Sequence, residues 1–180
     1  GVELEGAARQ RFAGIATELA ALSNRFDQNV LDATDGWHLD LTQEEDLEGL
    51  PESSRALARQ AAKLAGIEGW RFTLQAPAFI PFMMFSERRD LRRQMYHAYI
   101  TRASEIGPNA SNWDNSMVMD QILSLRLEQS MLLGYKNYSD YALVTRMADS
   151  FSGVETFLRD LLQRTKPPAK IEYDKLPVFA

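Results

Sequence analysis

The sequence predicts an all-α fold class, mainly α, built as a multi-helix array with at most one small antiparallel β-ribbon. Three observations carry that expectation. Apolar side chains recur at three-to-four-residue spacing along most of the 180 residues, turn-forming Gly, Pro, Asn and Asp fall between the periodic runs, and strict alternation is confined to two short stretches.

From about Gly6 to Val30 the side chains of Phe12, Ile15, Leu19, Leu22, Phe26 and Val30 recur at helical spacing, with Arg9, Glu18 and Arg25 between them. This predicts one long amphipathic helix. Asp32 to Gly36 has turn chemistry, after which Trp37-His38-Leu39-Asp40-Leu41 and Arg71-Phe72-Thr73-Leu74-Gln75 alternate like half-buried strands. The two are expected to pair antiparallel, with a helix from Pro51 to a stop at Gly66 between them. Ala76 to Phe85, interrupted by Pro77 and Pro81, is expected to be an extended connector.

Ser86 is the expected N-cap of a helix through Arg102, with Leu91, Met95, Ala98 and Tyr99 facing the core. Gly107-Pro108-Asn109-Ala110 must stop that helix, because glycine accepts positive φ, proline restricts the residue before it, and asparagine can bond its own backbone. A helix starting near Asp114 follows, with Val118, Ile122, Leu125 and Leu132 in phase and Gly134 in the C-terminal capping position. A shorter helix is expected from Ser139 to Met147. In the last one, Ser152 and Glu155 form a capping box ahead of Val154, Phe157, Leu158, Leu161 and Leu162, and Pro167-Pro168 ends it.

Composition narrows the function classes. A net charge of −5 argues against nonspecific nucleic-acid binding, which relies on Lys and Arg neutralising phosphates. The chain has no cysteine, which rules out disulfides and thiolate chemistry and fits a cytoplasmic location. Ala76 to Phe85 is the longest apolar run and is too short to span a bilayer, so no membrane partner is expected. Apolar residues at both ends, Val2 and Leu4 at one and Val178 and Phe179 at the other, suggest a piece of something larger.

The run Asn29 to Thr34, the Gly49-Leu50-Pro51-Glu52 helix start, Leu91-Arg92 through Tyr99, Thr101-Arg102-Ala103, the Gly107–Ala110 turn and Trp113-Asp114-Asn115-Ser116 occur together and in order. With these motifs the chain resembles the thimet-oligopeptidase family of zinc metallopeptidases, its bacterial oligopeptidase A branch in particular, from Gly1 to about Lys170. The resemblance implies a single segment, 1–180, of the N-terminal helical lobe of a larger enzyme that hydrolyses short peptides. In that family zinc sits in a deep channel between two mainly helical lobes. The implied partners are the catalytic lobe of the same polypeptide and, in the intact enzyme, short peptides.

Those enzymes carry His-Glu-x-x-His on a helix, where two histidines on one face share the zinc and the glutamate serves the attacking water. Here the only histidines are His38 and His97, neither followed by Glu. No catalytic, cofactor-binding or metal residue is therefore assigned to this chain, zinc belongs to the intact parent, and the segment alone is expected to be inactive. A free-standing helical protein-interaction module without peptidase activity is the alternative, and a dimer of the isolated segment is expected from its uncovered apolar surface.

Four features carry candidate chemistry of their own. Arg88, Arg89, Arg92 and Arg93 form a basic cluster, but interleaved Glu87 and Asp90 favour a solvated or ion-paired helix face over a phosphate or nucleic-acid site. His97 has no carboxylate at i±3 or i±4 to orient it, and His38, beside Asp40 in a strand, is read as structural because neighbouring strand residues point to opposite faces. Glu44-Glu45-Asp46 reads as a hydrated acidic turn without the glycine of a calcium loop. Among the aromatics Phe79, Phe82, Phe85, Tyr96, Tyr99, Tyr135, Tyr138 and Tyr141, most are expected in the core and a minority on a channel wall.

Overall fold

The computed structural model describes residues 3–176. Among these the order is α1 (Gly6–Asp35), β1 (His38–Leu41), a 3₁₀ turn (Glu44–Leu47), α2 (Glu52–Leu64), β2 (Trp70–Thr73), α3 (Ala76–Phe85), α4 (Arg89–Ile100), α5 (Ser116–Leu132), α6 (Tyr138–Leu143) and α7 (Phe151–Lys175). The fold is mainly α, with one two-stranded antiparallel ribbon. The chain groups into two compact units, Thr17–Leu123 and a second made of the N-terminal stretch through Ala16 with the chain from Ser124 onward.

In the unit Thr17–Leu123 the ribbon pairs Leu39 with Phe72 and Leu41 with Trp70. Alternation turns Leu39, Leu41, Trp70 and Phe72 inward, where Ala58 of α2, Phe82 of α3 and Met95 and Ala98 of α4 complete the core. Phe72 meets Phe82 edge to face at 4.8 Å, an aromatic geometry worth about 0.5–1.5 kcal/mol beyond area burial. On the other face of the ribbon Arg71 makes a two-pronged bond to the Asp40 carboxylate at 2.7 and 2.8 Å. That guanidinium holds the Asp40 carboxyl below the usual aspartate range.

Glycine closes α2 as the sequence requires. Gly66 has φ +71, its N–H donates to the Lys63 carbonyl and that of Ile67 to the Ala62 carbonyl, the paired bonds of a Schellman cap. Gly134, φ +82, repeats the arrangement after α5 through bonds to Met131 and Ser130.

Several expectations are corrected. Ala76 to Phe85 is not an extended connector but α3. Pro77 lies in the first turn, where no N–H is required, and Pro81 gives up one bond to the Pro77 carbonyl. An internal proline costs about 3 kcal/mol, whereas burying Phe82 fully and Phe79 and Met83 partly returns about 1.5–3 kcal/mol for each fully covered side chain. Burial wins. Ser86 ends α3 rather than beginning α4, whose N-cap is Arg88. α1 runs on to Asp35, with the Thr34 hydroxyl donating back to the Val30 carbonyl at 2.7 Å.

In the other unit, α6 starts one residue before Ser139, where the Asn137 side chain accepts from Asp140 N–H at 2.9 Å, and ends at Leu143 rather than Met147. The N-cap of α7 is Ser150, accepting from Gly153 N–H at 3.1 Å. Glu155 pairs with Arg159 instead of closing a capping box. Pro167 and Pro168 lie inside α7 without ending it: proline accepts helical φ, and the carbonyls it leaves without partners belong to exposed residues that water can serve. The expectation for Val178 and Phe179 lies outside the described residues.

Two measurements follow. Gly107 has φ +98, and a Cβ there would come within 2.6 Å of the Thr101 Cβ. Gly107→Val is expected to destabilise by on the order of 2–4 kcal/mol, from left-handed strain plus overpacking; an unchanged denaturation midpoint would show the turn to be slack. Because the folded-state pKa of Asp40 is depressed, its pairing stabilises fully above the ordinary aspartate range and is lost as pH falls through the lowered value. Asp40→Asn should therefore flatten the stability profile between those two pH values, and a profile parallel to the parent's there would contradict the pairing.

Candidate functional site

The loop between α4 and α5 is built onto the end of α1. Arg102 donates to the Tyr99 carbonyl at 2.9 Å and to the Thr34 hydroxyl at 2.8 Å, while its guanidinium lies 3.8 Å from the centre of the Tyr99 ring. Tyr99 in turn stacks on Phe79 at 4.0 Å. Trp113 rests against Gly36, where a Cβ would collide with the Trp113 ring. Asn115, 1% exposed, accepts from Asn29 at 2.8 Å and donates to the Phe26 carbonyl at 3.1 Å. The side chain of Asp114 accepts from the backbone and hydroxyl of Ser116 at 2.8 and 2.7 Å, and these bonds lower its pKa. Arg102, Asp114 and Asn115 are each bonded to a neighbouring group, and together these bonds fix the loop against the end of α1.

The basic cluster divides. Arg88 pairs with Asp90 at 2.7 Å and with Asp46, lowering the Asp90 pKa, and Arg92 donates to the Ser86 carbonyl. Arg89 and Arg93 are exposed. Asp46 is thus part of an ion pair, not a free member of the acidic turn. His38 and Asp40 are two residues apart and share a strand face, correcting the opposite-face argument; the imidazole Nε2 lies 3.4 Å from the carboxylate, which Arg71 already occupies. His97 is exposed on α4.

The aromatics also divide. Phe82 is fully buried, while Phe85 and Tyr96 are about half exposed. Tyr135, Tyr138 and Tyr141 group together, with ring centres 5.6 and 6.0 Å from Tyr141 and Arg126 over Tyr138 at 5.0 Å. In that same unit Arg11 clasps Glu128 through two 2.6 Å bonds, lowering the glutamate's pKa. Among the described residues no three His, Cys, Asp or Glu side chains come together to hold a metal ion.

One recess has a composition that the sequence reading did not single out. About 490 Å³ in volume, it lies along α2 beside Trp70 and is lined by Glu44, Glu52, Arg55, Arg59 and Lys63 among others. Arg55, Arg59 and Lys63 are spaced four apart on α2, one helical turn each. Arg55 is committed to the Leu50 and Leu47 carbonyls at 2.9 and 3.1 Å. Arg59 lies over the Trp70 ring at 5.1 Å. Trp70 is 8% exposed, and its indole nitrogen is buried without a hydrogen-bond partner. The i, i+4, i+8 spacing was legible in the sequence, but the strand tryptophan beside it was not.

Among the described residues no helix is long and apolar enough to cross a membrane. The family model for peptidase family M3 matches residues 82–179. Over 176 residues the chain is 46% identical to oligopeptidase A of Haemophilus influenzae, covering 98% of this chain and 26% of that protein. It is 44% identical to oligopeptidase A of Escherichia coli across its whole length, again 26% of the relative. To a probable cytosolic oligopeptidase A of Arabidopsis thaliana it is 38% identical, also over 26% of that protein. The chain thus spans about a quarter of the length of the curated relatives it matches. The family model covers more than half of the sequence and the relatives align along nearly all of it, so the chain belongs to peptidase family M3, with an oligopeptidase A-like sequence.

Proposed function

We propose that these residues are a non-catalytic part of the N-terminal helical lobe of a zinc-dependent oligopeptidase, walling the channel that admits short peptides and supporting the catalytic lobe. The observation that carries this reading is the alignment itself, in which nearly the whole chain matches only 26% of each bacterial relative. The surface supports it. Phe157, Leu158, Leu161 and Leu162 of α7 are 45–64% exposed, while ion pairs Glu155–Arg159, Asp160–Arg164 and Lys170–Asp174 line other positions of the helix. An amphipathic helix with its apolar stripe outward is one whose partner surface lies elsewhere. In this reading that partner is the remainder of the polypeptide, zinc and the proton-transfer groups reside there, and the enzyme is cytoplasmic.

The isolated 180-residue chain is expected to leave a quenched-fluorescent peptide uncut and to take up no stoichiometric zinc. Cleavage abolished by a chelator and restored by zinc, in a preparation free of other peptidases, would overturn the assignment.

Uncovered, the α7 stripe should drive concentration-dependent association of the isolated chain, most simply as a symmetric pair. Sedimentation velocity across a wide concentration range checks this. A clean monomer that binds no hydrophobic dye would favour a free-standing interaction module instead.

A further inference from the structure

We propose that the row Met119, Leu123, Leu127 and Met131 on α5 is the docking ridge for a helix belonging to the rest of the polypeptide, which makes α5 an interior helix of the complete protein. The inference rests on the lobe reading above and adds a contact separate from the α7 stripe. A helix at the surface of a globular protein needs one apolar face. α5 has two. On one, Val118 is 2% exposed, with Ile122, Leu125 and Leu132 half-buried in phase with it. On the other, Met119, Leu123, Leu127 and Met131 are 45%, 62%, 45% and 63% exposed. Their four-residue spacing is unbroken, so they form a ridge about 18 Å long at the helical rise of 1.5 Å per residue. Gln121, Ser124 and Glu128 separate the two faces on one side, and Asp120 borders the first turn of the ridge.

Apolar side chains scattered singly over a surface need no partner. Four in line are different, because a row at i, i+4 spacing is the feature that packs into the groove of a second helix. Toward its C-terminal end the ridge borders a recess of about 410 Å³ lined by Ser124, Leu127, Glu128, Met131 and Leu132. Glu128 brings no free charge there, since Arg11 clasps its carboxylate. The recess has room for an apolar side chain of the incoming helix, and unbranched methionines adapt readily to such a neighbour. Among the described residues nothing covers the ridge. α7 is not the cover, because its own Phe157, Leu158, Leu161 and Leu162 are left exposed. The occupant is assigned to the same polypeptide because the chain aligns with only 26% of each bacterial relative, which leaves about three-quarters of a protein of that length to supply it.

The test is methionine footprinting with dilute hydrogen peroxide, read by peptide mass spectrometry, on the 180-residue chain and on the complete polypeptide. In the chain, held at low concentration, Met119 and Met131 are expected to oxidise readily while Met95, 0% exposed, is slow. In the complete polypeptide the oxidation of Met119 and Met131 should slow by about tenfold or more. A variant pair reads the same contact as stability. Leu123→Gln with Leu127→Gln exchanges residues of similar helix propensity, so the thermal midpoint of the chain should hold while that of the complete polypeptide falls by several degrees. Leu158→Gln with Leu161→Gln on α7 is the reference for the lobe reading. If the α7 pair lowers the midpoint of the complete polypeptide while the α5 pair does not and Met119 and Met131 stay reactive, the ridge faces solvent and the proposal fails with the lobe reading intact. If neither pair matters there and both methionines stay reactive, the lobe reading fails as well. Protection that grows with the concentration of the chain alone, and goes no further in the complete polypeptide, would make a second copy the occupant and overturn the proposal. A midpoint lowered equally in both proteins would place the ridge in the chain's own packing and overturn it too.

Discussion

Asn115 is the point on which the packing of Thr17–Leu123 turns. A buried primary amide must find partners for its donors and its oxygen together, or the desolvation of each is lost. Here α1 provides both, through the Asn29 side chain and the Phe26 carbonyl, while the Asn115 N–H takes the Ala103 carbonyl and its own carbonyl receives Met119 N–H as α5 begins. One residue therefore ties the first helix through its side chain, and the exit from α4 and the entry to α5 through its backbone. Arg102 and Trp113 press the same loop onto Thr34 and Gly36. The positive φ of Gly107 lets the chain return in so few residues.

The same dependence ties up the polar side chains of the motif-bearing loop. Arg102, Asp114 and Asn115 are polar residues of the kind that populate active sites, yet each has its hydrogen-bonding capacity taken up by backbone or by a neighbouring helix. A group so engaged resists moving. The α2 recess is the contrast: its cations Arg59 and Lys63 are exposed, and the Trp70 indole nitrogen beside them is buried without a partner.

Much of the architecture was legible where one physical cause dominates. The strands alternate because one face is covered, and the glycines after α2 and α5 stop helices because a left-handed residue completes the cap. Legibility failed where two local rules compete or where distance in sequence hides a contact. Pro77 and Pro81 argue for extension, but the burial of Phe82 decides for a helix, and nothing local to Ala76–Phe85 announces the core waiting for it. Ser150 and Ser152 both offer a hydroxyl, and only the backbone decides that the first caps. The recess pairs α2 with a tryptophan from β2, so helical spacing shows the cations and conceals the ring they stand over.

The two adjacent prolines within α7 also set how that helix comes apart. Neither can donate, so the bonds that would reach the carbonyls of Gln163 and Arg164 do not exist, and the rungs on either side are not joined across that gap. With no side chain of α7 buried among the described residues, little but the ladder transmits order along it. The stretch after the prolines can therefore melt and re-form on its own, its amides exchanging with solvent sooner than those capped by Ser150, as a separate cooperative step within one continuous helix.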